Sequence, residues 1–159
     1  MNVGIITVSD RASSGQYEDL GGPALAKAVV ETYGWKVTAE GLVPDDIERI
    51  QKTIRAFIAQ GCGLILTTGG TGIADRDVTP EAVKAIAKKE LPGFGESMRM
   101  QSLKITPNAI LSRNMAAIVE TSLIICLPGK PSGAVECLSF VAAAIPHAVK
   151  VIQKEPTSC

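Results

Sequence analysis

The chain has 159 residues, 46% of them hydrophobic and 20% charged, a size and balance suited to one globular domain that needs no disulfide or metal to hold its core. Sixteen basic and sixteen acidic side chains cancel, which argues against the basic surface that nucleic-acid binders use to neutralise phosphates. No stretch is expected to reach the roughly 20 apolar residues of a membrane helix, and residues 3–8 lack the basic flank and cleavage site of a secretion signal; the expectation is a cytoplasmic protein with no nucleic-acid and no membrane partner.

Short β-rich runs alternate with helical patterns along the chain, the mark of βαβ units. Residues 3–8 (VGIITV) read as the first strand, and Gly21, Gly22 and Pro23 lead into a helix through Tyr33 that Gly34 is placed to end. Residues 35–43 read as a second strand. From Asp46, the apolar positions Ile47, Ile50, Ile54, Phe57 and Ile58 make one stripe on an amphipathic helix. Residues 63–68 (GLILTT) are continuously apolar, as in a central parallel strand buried on both faces. Thr79 as N-cap, Pro80 at the first helical position and Glu81 in the first turn predict a helix to about Lys89. The segment 91–95 (LPGFG) is expected to break the chain before a helix over 96–105. Residues 115–119 and 123–127 read as a closing strand pair, 128–133 as a turn, and 134–145 as a last apolar helix re-started at Pro146, followed by a frayed tail over 155–159. The whole reads as a single domain over 1–159, a three-layer α/β/α sandwich with a mostly parallel central sheet.

In an open parallel sheet, ligands bind beyond the carboxyl ends of the strands, where helix N-termini receive anions. Four chemically unusual loops fall at that edge: Ser9-Asp10-Arg11, Pro44-Asp45-Asp46, the stretch 69–80, and 128–133. The run Gly69-Gly70-Thr71-Gly72 lets backbone N–H groups approach a phosphate closely, although glycines also make tight turns for structural reasons alone. Neither GxxxxGK[ST] nor GxGxxG is present, which disfavours a P-loop NTPase or a dinucleotide fold. Asp75, Arg76, Asp77 and Thr79 follow the glycines. Two acids and an arginine suit a magnesium nucleotide, because Mg²⁺ takes one or two carboxylates and completes its shell with water and phosphate oxygens; a solvated loop with Asp77 capping a helix is the alternative. One of Asp45 and Asp46 is expected to N-cap the second helix. Lys130, Arg99 and Arg113 could face phosphates, or simply water. His147 is the only histidine, so any Ser/His/Asp or Cys/His nucleophile would depend on that one ring. The cysteines at 62, 126, 137 and 159 show no CxxC spacing and read as reduced, structural thiols.

The segment 67–82 (TTGGTGIADRDVTPEA) resembles the signature of molybdenum-cofactor biosynthesis proteins of the MogA and MoaB type. VSDRASSGQYEDLGGPAL (8–25), LPGFGESMR (91–99), AILSR (109–113) and LPGKPSGAVECL (127–138) resemble further blocks of that family in the same order. Asp75 departs from it, standing where relatives often carry a neutral or basic residue. The resemblance implies a free-standing, usually trimeric domain that transfers AMP from ATP, with Mg²⁺, to the terminal phosphate of molybdopterin. It implies hand-over of the product to a molybdenum-insertion protein. It also includes members of uncertain activity, so a binding-only relative is the alternative. By motif, Asp45 and Asp77 fall on the family's two essential acids and are the expected magnesium ligands. Ser9, Asp10, Gly69, Gly70, Thr71, Gly72, Arg76, Thr79, Gly129, Pro131, Ser132 and Glu136 fall on its nucleotide- or molybdopterin-binding positions.

Overall fold

The computed structural model describes residues 1–156. In chain order the elements are β1 (Asn2–Val8), α1 (Asp10–Ser13), α2 (Gly21–Glu31), β2 (Lys36–Val43), α3 (Ile47–Ala59), β3 (Leu64–Thr68), α4 (Thr79–Ile86), β4 (Lys89–Glu90) and α5 (Pro92–Ser102). A 3-10 turn at Pro107–Leu111 then leads to β5 (Met115–Val119), β6 (Ser122–Leu127), α6 (Pro131–Val141), a second 3-10 turn at Ala142–Ala144 and α7 (Ile145–Ile152). The strands form one six-stranded sheet ordered β2-β1-β3-β6-β5-β4. The first four in that order are parallel, and β5 and β4 continue antiparallel.

Every residue of β3 and β6 is buried because helices cover both faces of the sheet, and this is why both strands read as continuous apolar runs rather than as alternation. On one face Ile5, Leu66 and Ile125 pack under Leu25 and Val29 of α2, Met98 of α5, Leu138 of α6 and Ile145 of α7. On the other, Ile6, Ile65 and Ile124 pack under Ile50, Ile54 and Phe57 of α3 and Val83 of α4. Each fully buried Ile or Leu contributes about 1.5–3 kcal/mol relative to exposure, so these two clusters carry the three-layer α/β/α arrangement expected from the sequence. Since β1, β2, β3 and β6 are parallel, their carboxyl ends at Val8, Val43, Thr68 and Leu127 open on one edge.

Several local expectations are corrected. Residues 10–13 form a short helix rather than a loop, because the Ser9 Oγ accepts from the Ala12 N–H at 3.2 Å. The third helix stops at Ile86 instead of Lys89. Residues 89–90 are a strand, held by Lys88 N–H to Ile118 O at 2.8 Å and Leu91 N–H to Ala116 O at 2.8 Å. Pro92 does not break the chain but opens α5, where a missing N–H costs nothing, and α5 ends at Ser102. Pro131 likewise starts α6 three residues before the expected Ala134. Thr79 is not an N-cap: Val78 holds that place without a side-chain bond, which also removes the capping alternative for Asp77. Contrary to the composition reading, Pro131–Ile152 makes 22 continuous helical residues apolar enough to cross a membrane by length and composition. Its apolarity is accounted for by Ala134, Leu138, Val141, Ile145 and Val149, which are buried against the sheet. Cys62, Cys126 and Cys137 are free and buried, as structural thiols should be; Cys159, with most of the tail expected to fray, lies outside the described residues.

Candidate active site at the carboxyl edge of the sheet

Four strand ends and the helices that follow them enclose a cleft of about 400 Å³. Its floor is set by the exits of β1 and β3. Thr68 Oγ1 donates to Pro128 O at 2.8 Å and Gly69 N–H to Leu127 O at 3.2 Å, so the glycine turn after β3 lies against the turn after β6. Gly70 has φ +65°, and a Cβ there would collide with Thr79 Oγ1. That hydroxyl is fixed, since it donates to Gly69 O at 2.9 Å. The turn therefore needs glycine on steric grounds, whatever it binds.

The acidic residues meet across this turn. Asp46 takes the capping role, accepting from Arg49 N–H at 2.8 Å, and leaves Asp45 free. Asp45 and Asp10 are locked reciprocally: Asp10 N–H donates to Asp45 Oδ2 at 3.0 Å and Asp45 N–H donates to Asp10 Oδ1 at 2.9 Å. The Asp45 side chain is only 4% exposed. Burial pushes its carboxyl above the usual carboxylate range; the Asp10 N–H and the Arg76 guanidinium pull it back, while the negative charges of Asp10 and Asp77 add to the rise. Asp77 folds back on its own loop, where its Oδ2 accepts from Ala74 N–H at 3.0 Å.

Arg113 holds that loop from behind. Its Nε donates to Gly72 O at 2.7 Å, its Nη2 to Asp77 O at 2.7 Å, and its Nη1 pairs with Glu81. Arg99 spends its guanidinium on Asn114 O at 2.7 Å. Neither lines the cleft, so both are structural. Arg76, by contrast, reaches Asp10 and Asp45 only at 3.7 and 3.8 Å and is half exposed. Surface pairs of that kind contribute about 0–1 kcal/mol, which leaves the guanidinium available to an incoming anion.

Of the residues singled out from the sequence, Ser9, Asp45, Gly69, Gly70, Arg76, Asp77, Gly129 and Pro131 line the cleft together with Lys130, and Asp10 joins them through Asp45. Thr71 and Thr79 are buried beneath the turn, and Gly72 lies beneath it beside Asp77; they shape the loop. Ser132 and Glu136 sit on α6 outside the lining, and His147 is exposed on α7. Sequence reasoning missed Thr7, Tyr17, Asp19 and Thr68, which also line the cleft. Asp19 Oδ1 accepts from Gly21 and Gly22 N–H, both at 3.0 Å, and its Oδ2 from Thr7 Oγ1 at 2.8 Å. An Asp two residues before a Gly-Gly-Pro helix start was the available signal for it.

Asp10 and Asp45 thus share the Arg76 guanidinium, with the Asp77 charge close enough to act on Asp45, at a place where two helices, α2 and α6, begin. Among the described residues, no group of three or more His, Cys, Asp or Glu side chains forms a metal cage. A Mg²⁺ ion bound to a polyphosphate asks for less, one or two carboxylates with the remaining positions filled by water and phosphate. The surplus negative charge around Asp45 fits that demand.

Residues 4–147 match the family model described as "Probable molybdopterin binding domain". The molybdopterin adenylyltransferase of Helicobacter pylori strain J99 is 46% identical over 96% of this chain and 88% of its own length. That of Escherichia coli K12 is 44% identical over 91% and 75%. Among solved structures, the molybdopterin biosynthesis enzyme MoaB from Thermus thermophilus superposes with a TM-score of 0.90 at 41% identity, covering 99% of both chains. In sequence and in fold, then, the chain belongs to the molybdopterin-binding family of MogA- and MoaB-type molybdenum-cofactor biosynthesis proteins.

Proposed function

We propose that this chain is a molybdopterin adenylyltransferase, which moves AMP from ATP to the terminal phosphate of molybdopterin and releases pyrophosphate. Relatives at 46% and 44% identity carry that name, and the observation that carries the reading here is Asp45, at the exit of β2, held at 4% exposure by Asp10 beside the glycine turn whose loop carries Asp77. The nucleophile is a phosphate oxygen already ionised at neutral pH, so the reaction needs no histidine base and no protein nucleophile. That oxygen attacks the α-phosphorus of ATP. The bond to the bridging oxygen breaks and its electron pair leaves on pyrophosphate.

The protein's task is positioning and charge neutralisation. Asp45 and Asp77 would hold Mg²⁺, which when bound neutralises the triphosphate and favours departure of pyrophosphate. Arg76 and Lys130 meet the anionic groups directly, and the N-termini of α2 and α6 face them. Thr79 and Arg113 keep the glycine turn in place from below. AMP passes directly between the substrates without an enzyme adduct.

The working form is a homotrimer in the cytoplasm that passes its product to a molybdenum-insertion protein. The trimer is supported by Ile73, Met100, Leu103, Ile105, Ile110 and Leu111, large apolar residues left exposed in the loop of Asp77, at the end of α5 and through the 3-10 turn that follows it. The test is to incubate purified protein with Mg-ATP and molybdopterin and weigh the products. Adenylylated molybdopterin is expected, reduced on the order of 100-fold or more in Asp77→Asn. Molybdopterin bound but never adenylylated would establish the binding-only relative instead.

A further inference from the structure

The phosphate chemistry leaves one wall of the cleft unused. Tyr17 lines the cleft beside Leu20, and at 57% and 48% exposure the two are its exposed large hydrophobic residues, an apolar strip in a lining rich in glycines, acids and cations. Exposed aromatic surface inside a concave site has a cost unless something covers it. The ring is also built into position. The Ser9-capped helix α1 turns back at Gly15 (φ +78°), and the Arg11 carbonyl accepts both Gln16 N–H at 2.9 Å and Tyr17 N–H at 3.1 Å. The Arg11 guanidinium then lies over the ring with its carbon 5.5 Å from the centroid. One face is thereby backed by a cation, and the remaining ring surface is open.

We propose that Tyr17, backed by Arg11, is the stacking platform for the flat heteroaromatic ring of one of the two substrates, adenine or pterin. Stacking on an aromatic face tolerates either ring because both present a π-surface. A guanidinium behind the tyrosine rigidifies the platform at little entropic cost. The inference rests on the proposed adenylyl transfer for the identity of the rings, and on the geometry of the cleft for everything else.

The test compares wild type with Tyr17→Ala and Tyr17→Phe, measuring the Kd of Mg-ATP by calorimetry, the KM of ATP and of molybdopterin in the adenylylation assay, and the melting temperature. Tyr17→Ala is expected to weaken one substrate by about 10-fold, and Tyr17→Phe to restore it, since the ring and not the hydroxyl is used. A raised ATP Kd with an unchanged molybdopterin KM identifies adenine, and the reverse identifies pterin. Melting should be unchanged for so exposed a side chain, which separates binding from a role in packing α1. Unchanged affinity for both substrates in an active Tyr17→Ala enzyme overturns the platform and leaves the transferase intact. Wild type that binds ATP through Tyr17 and yet makes no product overturns the transferase and leaves the platform.

Discussion

Gly70 and Gly34 offer a controlled comparison, because their backbones are nearly the same and their surroundings are not. Gly34 has φ +64° and nothing within 4 Å of an added Cβ, whereas Gly70 has φ +65° and a Cβ there would collide with Thr79 Oγ1 and lie 3.1 Å from Asp45 Oδ1. Alanine at either position meets the left-handed strain of roughly 1–2 kcal/mol. Gly70→Ala must in addition displace the Thr79 hydroxyl from Gly69 O, a buried bond made at 2.9 Å, and leaving such a group unpaired costs about 1–3 kcal/mol. For a chain of this size each kcal/mol moves the melting point by about 2–4 °C. Gly70→Ala should therefore melt about 2–12 °C below Gly34→Ala when both are followed by circular dichroism at pH 7. Equal melting points would show that the glycine turn is not wedged against Thr79, and the steric reason for glycine beside Asp45 would fall with it.

The remaining expectations concern charge and thiols. Because the Asp45 carboxyl lies above its ordinary value in the folded chain, the native state holds an extra proton between the ordinary and the raised value. Stability associated with that proton is present at low pH and lost as pH rises through the raised value. Asp45→Asn should then melt higher than wild type at pH 7, with the gain shrinking as the pH falls and the wild-type carboxyl takes up its proton; a lower melting point at pH 7 contradicts the crowding of negative charge around Asp45. Burial pushes the Cys126 thiol up to about 12, so iodoacetamide at pH 8 should leave it unmodified in the folded chain and label it after denaturation. Rapid labelling of native Cys126 would contradict its burial.

What could be read from the sequence was what depends on local pattern. The apolar runs of β3 and β6 and the stripe Ile50, Ile54, Phe57 and Ile58 announce themselves because burial repeats with the period of the element; Ile47, at the exposed start of α3, shows where such a stripe runs past the core. The four acidic and glycine-rich loops were legible as a group because a parallel sheet sends its strand ends to one edge. The rest was fixed by distant partners. Lys89-Glu90 has no strand pattern and pairs only because β5 offers an open edge. Thr79 looks like a cap and is instead drawn to Gly69 O, ten residues earlier. Asp45 and Asp46 could not be told apart locally; Asp10, on another strand end, decides between them. Tyr17 and Asp19 lie in a loop with no periodicity, and their place in the cleft follows from the Arg11 carbonyl and from the Thr7 hydroxyl.

In the proposed reaction AMP passes directly between two bound substrates, with Asp45 at the exit of β2 and Asp77 in the glycine-rich loop after β3 facing them. The most direct measurement supplies ATP labelled at the α-phosphate, with Mg²⁺ and molybdopterin, and follows the label by time. All of it should appear in adenylylated molybdopterin and none on the protein, and Asp77→Asn, folded as judged by its melting, should yield almost no product. Label that accumulates on the chain before reaching molybdopterin, or an Asp77→Asn protein as fast as wild type, would contradict the account.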